Sequence, residues 1–170
     1  KNLELINRYT DYDYILTKEA FINDKYFRFY KESKRYKIID NNIHEQSEMK
    51  WQEHIKLAID LEVKEIVVID VLKNKNKTLE NYKFFIDKYY DIIKKHNILI
   101  HCVPQGETFE EIMSCFNVFN NDRRVDVIGH SFDLSPFNFN LNKNKNQSMN
   151  RLLILSEWIR ISNKPIHLLG

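Results

Sequence analysis

The chain has 170 residues, of which 43% are hydrophobic and 29% are charged, and its formal net charge is +2. This composition supports a folded core and excludes an intrinsically disordered chain. The near-neutral balance neither demands nor forbids a nucleic-acid partner, so the position of the charges must decide that question. No apolar run approaches the roughly 20 residues of a membrane-spanning helix, and no signal peptide is visible, so we expect no membrane partner.

The first half of the chain alternates short apolar strands with amphipathic helices. Strands are predicted over 14–17, 36–39 and 65–69, and helices over 48–61 and 78–96. The second and third strands run directly into Asp40 and Asp70. A polar loop, KNKNK at 73–77, separates Asp70 from the long helix.

The second half repeats the same alternation. Strands are predicted over 97–103, 125–128 and 165–169, and the last helix over 149–161. Pro104, Gln105 and Gly106 follow the first of these strands, and Gly129 follows the second. Thr108 and Glu111 have the T-x-x-E spacing of a capping box, which predicts the start of a further helix.

Strands that alternate with helices predict parallel βαβ units, and therefore an α/β fold. With three glycines in the chain and no G-x-G-x-x-G after any strand, a TIM-type (β/α)8 barrel is favoured over a doubly wound dinucleotide fold. About six βα units are present, whereas a complete barrel needs roughly 250 residues. We therefore expect residues 1–170 to form a single, incomplete barrel domain whose last two units lie beyond Gly170.

Asp40, Asp70, Gln105 and Gly129 all follow strands, and the carboxyl ends of barrel strands carry the catalytic groups. Each aspartate alone could simply cap the following turn or helix. Together the residues match a guanine-like base, because a carboxylate accepts from adjacent N–H donors while an amide donates to the carbonyl oxygen. A glycine lets the base approach the backbone closely.

Five segments resemble conserved strand ends of the guanine transglycosylases, in the order of that family. IIDNNIHE (38–45) resembles its D-S-G-G-F-Q stretch, and more closely the D-N-G-A-F-E form of the DNA-modifying relatives. VIDVLKNKNKTLE (68–80) is similar to P-D-V-L…T-L-E, and CVPQGETFEE (102–111) to the P-Q-G strand end. VDVIGHS (125–131) resembles the I-G-I segment, and PIHLLG (165–170) the H-L-L-G strand.

The resemblance implies an enzyme that replaces guanine in DNA with a 7-deazaguanine of the preQ0 type through a covalent glycosyl-enzyme intermediate. It implies that Asp40 transfers protons. The predicted base-binding residues are the aspartate, the amide and their neighbours at the strand ends, namely Asp70, Gln105, Gly106, Gly129 and His130. The setting it implies is the cytoplasm of a bacterium or of a phage-infected host.

The sequence departs from the family pattern at three points. Asn42 and His44 replace a small residue and an aromatic one beside Asp40. The family's nucleophilic aspartate lies on the strand after H-L-L-G, so we assign no nucleophile and expect it beyond Gly170. The zinc site of the tRNA enzymes also lies further on, so we expect no cofactor and no metal here unless a Cys/His cluster follows. Cys102 and Cys115 are expected to be buried thiols.

A nucleic-acid substrate needs a basic rim on the active-site face. The predicted phosphate contacts lie in two loops that follow strands and at the start of the last helix, and they are Lys73, Lys75, Lys77, Lys143, Lys145 and Arg151. DNA is favoured over tRNA as the partner, together with the free 7-deazaguanine base. A homodimer or a partner subunit stays open.

Three alternatives remain from the sequence. The first is a tRNA-guanine transglycosylase of the same family. The second is an unrelated TIM-barrel hydrolase that uses Asp40 and Asp70 as an acid–base pair. The third is a non-catalytic fragment that binds a base or nucleic acid and lacks the nucleophile.

Overall fold

The computed structural model describes residues 9–41, 50–131 and 147–169. Six strands alternate with helices along this part of the chain. The strands are β1 (Tyr12–Leu16), β2 (Tyr36–Asp40), β3 (Glu65–Val67), β4 (Leu99–Cys102), β5 (Val127–His130) and β6 (Ile166–Leu168). The described helices are α1 (Thr17–Ile22), α2 (Asp24–Glu32), α3 (Trp51–Asp60), α4 (Lys75–Lys95), α5 (Phe109–Asn121) and α6 (Gln147–Ile161).

The strands form one six-stranded sheet in the order β1-β2-β3-β4-β5-β6. Pairing is parallel, with Leu16 opposite Asp40 in β1–β2 and Gly129 opposite His167 in β5–β6. A parallel sheet in sequential order with helical crossovers is the arrangement found along a section of a barrel. The predicted α/β class and the six parallel strands are therefore confirmed, five of them followed by a helix in the described residues, and the fold is consistent with an incomplete barrel.

The chain divides into two compact units. One contains residues 1–67 and 89–99, and the other contains 68–88 and 100–170. In the first unit the fully buried side chains come from strands and the helices packed on them, for example Ile15, Ile39, Ala58 and Ile66. In the second unit Phe116 of α5 stacks on Trp158 of α6 at 4.7 Å between ring centroids, and both side chains are completely buried.

Three of the differences between predicted and observed element boundaries move a candidate residue. Helix α4 begins at Lys75 rather than near Thr78, because the Asn74 side chain accepts a hydrogen bond from the Lys77 N–H at 2.9 Å and caps the first turn. Lys75 and Lys77 therefore belong to a helix and not to a loop.

The ends of β3 and β5 are the other two differences. β3 stops at Val67, so Asp70 lies past its end rather than at it. β5 continues through His130, so Gly129 lies inside the strand. All four residues of β5 are buried, which is typical of a parallel strand covered on both faces. Asp40, in contrast, is the last residue of β2, as predicted.

The predicted helix start at Thr108 is confirmed. The Thr108 hydroxyl accepts a hydrogen bond from the Glu111 N–H at 3.2 Å. The Glu111 carboxylate accepts from the backbone N–H of Glu107 at 2.7 Å, one residue earlier than in a standard capping box. These two bonds fix the turn between Gln105 and α5.

Candidate functional site

Asp70 and Gln105 form a buried hydrogen-bonded pair in the second unit. The Gln105 Nε2 donates to Asp70 Oδ2 at 2.5 Å. Gln105 is 1% exposed and Asp70 is 3% exposed. The sequence prediction that these two side chains lie together is confirmed. A buried carboxylate is costly unless it accepts hydrogen bonds, and the amide supplies one of them.

A backbone N–H fixes which way the Gln105 amide faces. The N–H of Lys73 donates to Gln105 Oε1 at 3.3 Å. Since Oε1 then accepts and Nε2 donates to Asp70, both ends of the amide have a defined role. The bond to Asp70 uses one of the two Nε2 hydrogens, so the amide retains the capacity to donate to a second acceptor.

The turn that carries Lys73 has an unusual backbone. Lys73 has φ of 60°, in the left-handed region that residues with a Cβ rarely adopt. Thr78 fastens the same turn, because its hydroxyl accepts from the Val71 N–H at 2.9 Å and donates to the Val71 carbonyl at 3.2 Å. Strained residues held by their surroundings are typical of functional sites.

A small recess lies beside Asp70. Its empty volume is about 140 Å³, part of which is open to solvent. Apolar and aromatic side chains form most of its lining, including Val68, Tyr82, Cys102 and Phe119. Burial raises the pKa of the Cys102 thiol well above its usual value, so this cysteine is an inert neutral group, as expected. Because Asp70 is itself buried, a ligand reaches its carboxylate only if the site opens.

The two predicted glycines are required by packing. A Cβ at Gly106 would clash with Cβ of Glu111 in the first turn of α5. A Cβ at Gly129 would clash with Nε2 of His101. The glycine in β5 thus makes room for a histidine ring, which accounts for its identity without a ligand. That a base approaches the Gly129 backbone stays a prediction.

His130 and Arg151 contact one another. The Arg151 Nε donates to His130 Nδ1 at 3.4 Å, and the Arg151 Nη2 donates to the Leu169 carbonyl. The His130 ring is completely buried and packs edge-on against Trp158, with 4.8 Å between the ring centroids. Burial, followed by the positive charge of Arg151, lowers the pKa of His130 to about 4. Arg151 is thus engaged within the protein, and its predicted phosphate contact stays a prediction.

Asp40, in the first unit, is held by two residues, and a buried histidine lies behind one of them. Tyr14 Oη donates to its carboxylate at 2.9 Å, and the Thr17 hydroxyl donates to its backbone carbonyl. Thr17 Oγ1 also lies 3.1 Å from His54 Nδ1, and His54 Nε2 lies 2.9 Å from the Val67 carbonyl. Because a carbonyl only accepts, Nε2 carries the proton of the neutral ring. Nδ1 is then an acceptor, and it shares the single hydroxyl hydrogen of Thr17 with the Asp40 carbonyl. Burial lowers the pKa of His54.

Sequence reasoning assigned no role to Tyr14, Thr17 or His54. A signal existed for Thr17, which directly follows β1 as a polar residue, just as Asp40 ends β2. His54 lies on the buried face of α3 beside Ile55 and Ala58, where a histidine resembles any other core residue in the sequence. The left-handed turn at Lys73 carries no sequence signal.

The predicted basic rim is only partly described. Lys73 and Lys77 are exposed, and Lys77 pairs with Glu80 at 3.0 Å. Lys75 is half-buried in the first turn of α4. Lys143 and Lys145, like Asn42 and His44, lie outside the described residues.

No helix within 9–41, 50–131 and 147–169 combines the length and the hydrophobicity needed to cross a membrane. When the chain was compared with protein-family models, with curated proteins and with solved structures, no match was found. The resemblance to guanine transglycosylases therefore remains a prediction from the motifs, and the site geometry is the independent ground for a functional proposal.

Proposed function

We propose that the chain belongs to a TIM-barrel base-exchange enzyme that replaces guanine in DNA with a 7-deazaguanine, and that Asp70 and Gln105 read the base. One observation carries the proposal: the buried Gln105–Asp70 hydrogen bond, with the amide oriented by the Lys73 N–H. A carboxylate acceptor next to an amide donor is complementary to the donor–donor–acceptor edge of a guanine-type base.

The same bond supports a defined order of events at the site. In the unliganded chain Gln105 satisfies Asp70, so neither group is left buried without a partner. An entering base offers its ring N–H and exocyclic amine to Asp70, and its carbonyl oxygen to Nε2 of Gln105. The incoming edge replaces one buried hydrogen bond with several. A base that lacks this pattern would leave Asp70 or Gln105 buried without a partner, so it would bind less tightly.

Asp40 is the proposed proton carrier. During exchange an enzyme carboxylate attacks C1′ of the sugar, the bond from C1′ to the base nitrogen breaks, and its electron pair stays on the departing guanine. Asp40 gives that guanine a proton. The incoming 7-deazaguanine returns a proton to Asp40 as its nitrogen displaces the enzyme carboxylate from C1′. The phenol of Tyr14 holds the Asp40 carboxylate in place, and no described residue is assigned as the nucleophile.

Calorimetric titration with free preQ0 tests the base-reading step. We expect Asp70→Asn to weaken binding by roughly 30- to 100-fold, because an amide replaces an acceptor of charge-assisted hydrogen bonds worth about 2–3 kcal/mol. Gln105→Leu should weaken it by a smaller factor. Asp91→Asn, at an exposed position of α4, is the matched control and should leave affinity unchanged. Equal losses from Asp70→Asn and Asp91→Asn would exclude Asp70 as the reader.

Incubation of the protein with DNA or tRNA and labelled preQ0 tests the exchange. Label in DNA supports the proposal, and label in tRNA alone would assign the chain to the tRNA-directed alternative. Binding of preQ0 without incorporation into either polymer would indicate the non-catalytic base-binding alternative. If the protein neither bound preQ0 nor incorporated the label into DNA or tRNA, the proposed function would be wrong.

A further inference from the structure

Two histidines on β4 and β6 face one another within the second unit. The ring centroids of His101 and His167 lie 5.4 Å apart with the planes tilted by 34°. Metal-ligating nitrogens of the two rings lie within 4.8 Å of each other. His101 is completely buried, whereas His167 is half-buried. Two imidazoles at this separation lie close enough for one ion to bridge them while the strands that carry them stay in place.

The strand between the two histidines is shaped to accommodate them. Gly129 of β5 is the register partner of His167, and a Cβ at Gly129 would clash with Nε2 of His101. The His101 ring therefore lies over the backbone of β5 on the same face as His167. Both histidines are carried by strands of one sheet, and a rigid backbone of this kind favours a site with defined geometry.

We propose that His101 and His167 form a binding site for a divalent transition-metal ion of the zinc, cobalt or nickel type. Imidazole nitrogens bind such ions at about 2.0–2.1 Å, so two of them on one tetrahedral ion lie roughly 3.3 Å apart. In the proposed site a small adjustment of the half-buried His167 side chain brings the nitrogens from their separation of up to 4.8 Å to this distance. Hard ions such as Mg²⁺ and Ca²⁺ prefer oxygen ligands and are poor candidates.

This site is independent of the proposed base exchange, and sequence spacing gives no hint of it. Metal motifs are recognised from ligands close together in the chain, whereas these histidines come from two strands that are not consecutive. The two histidines come together, on either side of Gly129, only because the fold places β4, β5 and β6 side by side.

Cobalt absorption spectroscopy on the full chain, stripped of metal with a chelator, tests the proposal. We expect one equivalent of Co²⁺ to give visible d–d bands that Zn²⁺ removes by displacement. His167→Gln should weaken Co²⁺ and Zn²⁺ binding by at least about tenfold, the size of loss that even an outer partner of a metal ligand produces. His96→Gln, at an exposed histidine of the first unit, is the matched control and should bind as the wild type does.

A second readout covers the case in which a variant is less stable. Zn²⁺ should raise the melting temperature of the wild type and of His96→Gln, but not of His167→Gln, because only a ligand of the folded state stabilises it. Gly129→Ala should also weaken binding, since the added Cβ displaces the His101 ring. A folded His167→Gln chain that binds Co²⁺ as tightly as the wild type, or loss of binding in His96→Gln, would overturn the site.

Discussion

The two parts of the candidate site use their buried hydrogen bonds differently. Near Asp40 buried side chains bond the backbone carbonyls at two strand ends, whereas near Asp70 the buried bonds fix the side-chain amide of Gln105. In the first unit Thr17 and His54 fasten the carbonyls of Asp40 and Val67, and the Asp40 carboxylate itself is half-buried with a phenol as donor. In the second unit a backbone N–H and a buried carboxylate fix both ends of the Gln105 amide.

This difference suits two different tasks. A half-buried carboxylate on a fixed backbone can gain and lose a proton without moving its strand. A buried amide whose oxygen and nitrogen are both assigned cannot exchange its donor and acceptor, so it can discriminate between ligands by their hydrogen-bond pattern. Two residues that look alike in the sequence, as polar groups after apolar strands, are thus supported in ways that fit a proton carrier and a base reader.

The largest expected effect is a loss of stability in acid, to which a buried histidine in each unit contributes. Burial lowers the pKa of His54, and burial together with Arg151 lowers that of His130 to about 4, from a reference of 6.5. Below pH 6.5 the histidines of the unfolded chain bind protons that the folded chain does not. Their contribution to the free energy of unfolding is therefore fully present above pH 6.5 and is lost as the pH falls towards 4. For His130 alone the loss reaches about 3 kcal/mol.

Urea unfolding at pH 7.5, 6.0, 5.0 and 4.5 measures this loss. His130→Asn and His54→Gln should each flatten part of the pH dependence, whereas His96→Asn, at an exposed position, should leave it unchanged. If the free energy of unfolding of the wild type did not change between pH 7.5 and 4.5, the assignment of both rings as buried and neutral would be wrong.

The second prediction compares the two buried threonines that fasten the sites. Thr17→Val removes the hydroxyl between Asp40 and His54, and Thr78→Val removes both hydrogen bonds to Val71. Each change leaves buried polar groups without a partner and should cost about 2 kcal/mol in the free energy of unfolding. Denaturant titration measures that cost.

Binding of preQ0 separates the two variants. Thr78→Val should also weaken base binding, because the turn from Val71 to Thr78 carries the N–H that orients Gln105. Thr17→Val should leave it within about twofold of the wild type. Equal losses of affinity in both variants would show that the Lys73 turn has no special part in orienting the reader.

The predictable part of this fold is its periodicity. The alternation of apolar strands and amphipathic helices predicted the six strands of the sheet, and the adjacent order of the strands then brings Asp70 and Gln105 together. This inference works because parallel strands place their carboxyl ends at one edge of a sheet. The capping pattern at Thr108 was equally readable, since the hydroxyl and the N–H that it accepts from are three residues apart.

The parts that could not be predicted depend on contacts between distant segments. His54 bonds Val67 and Thr17, and Arg151 bonds Leu169, through geometry that no local pattern contains. The start of α4 was predicted too late because the lysines read as a loop, although Asn74 is a good N-cap residue. Gly129 was interpreted as room for a base, whereas its neighbour is the His101 ring.

The smallest expected effect concerns the left-handed backbone of Lys73. Glycine adopts positive φ without strain, whereas any residue with a Cβ pays about 1 kcal/mol there. Lys73→Gly should therefore be more stable than Lys73→Ala by about 1 kcal/mol. At Lys83, an exposed residue within α4, the order should invert, and the alanine variant should be the more stable by a similar amount.

Chemical denaturation of the four variants measures both differences under one condition. The sign change between the two positions is the decisive result, because any general effect of glycine on the unfolded chain is shared by both and cancels. If alanine were preferred at Lys73 as it is at Lys83, the left-handed turn would not exist in solution. The Lys73 N–H would then not be directed at Oε1 of Gln105, and the fixed orientation of the proposed base reader would be lost with it.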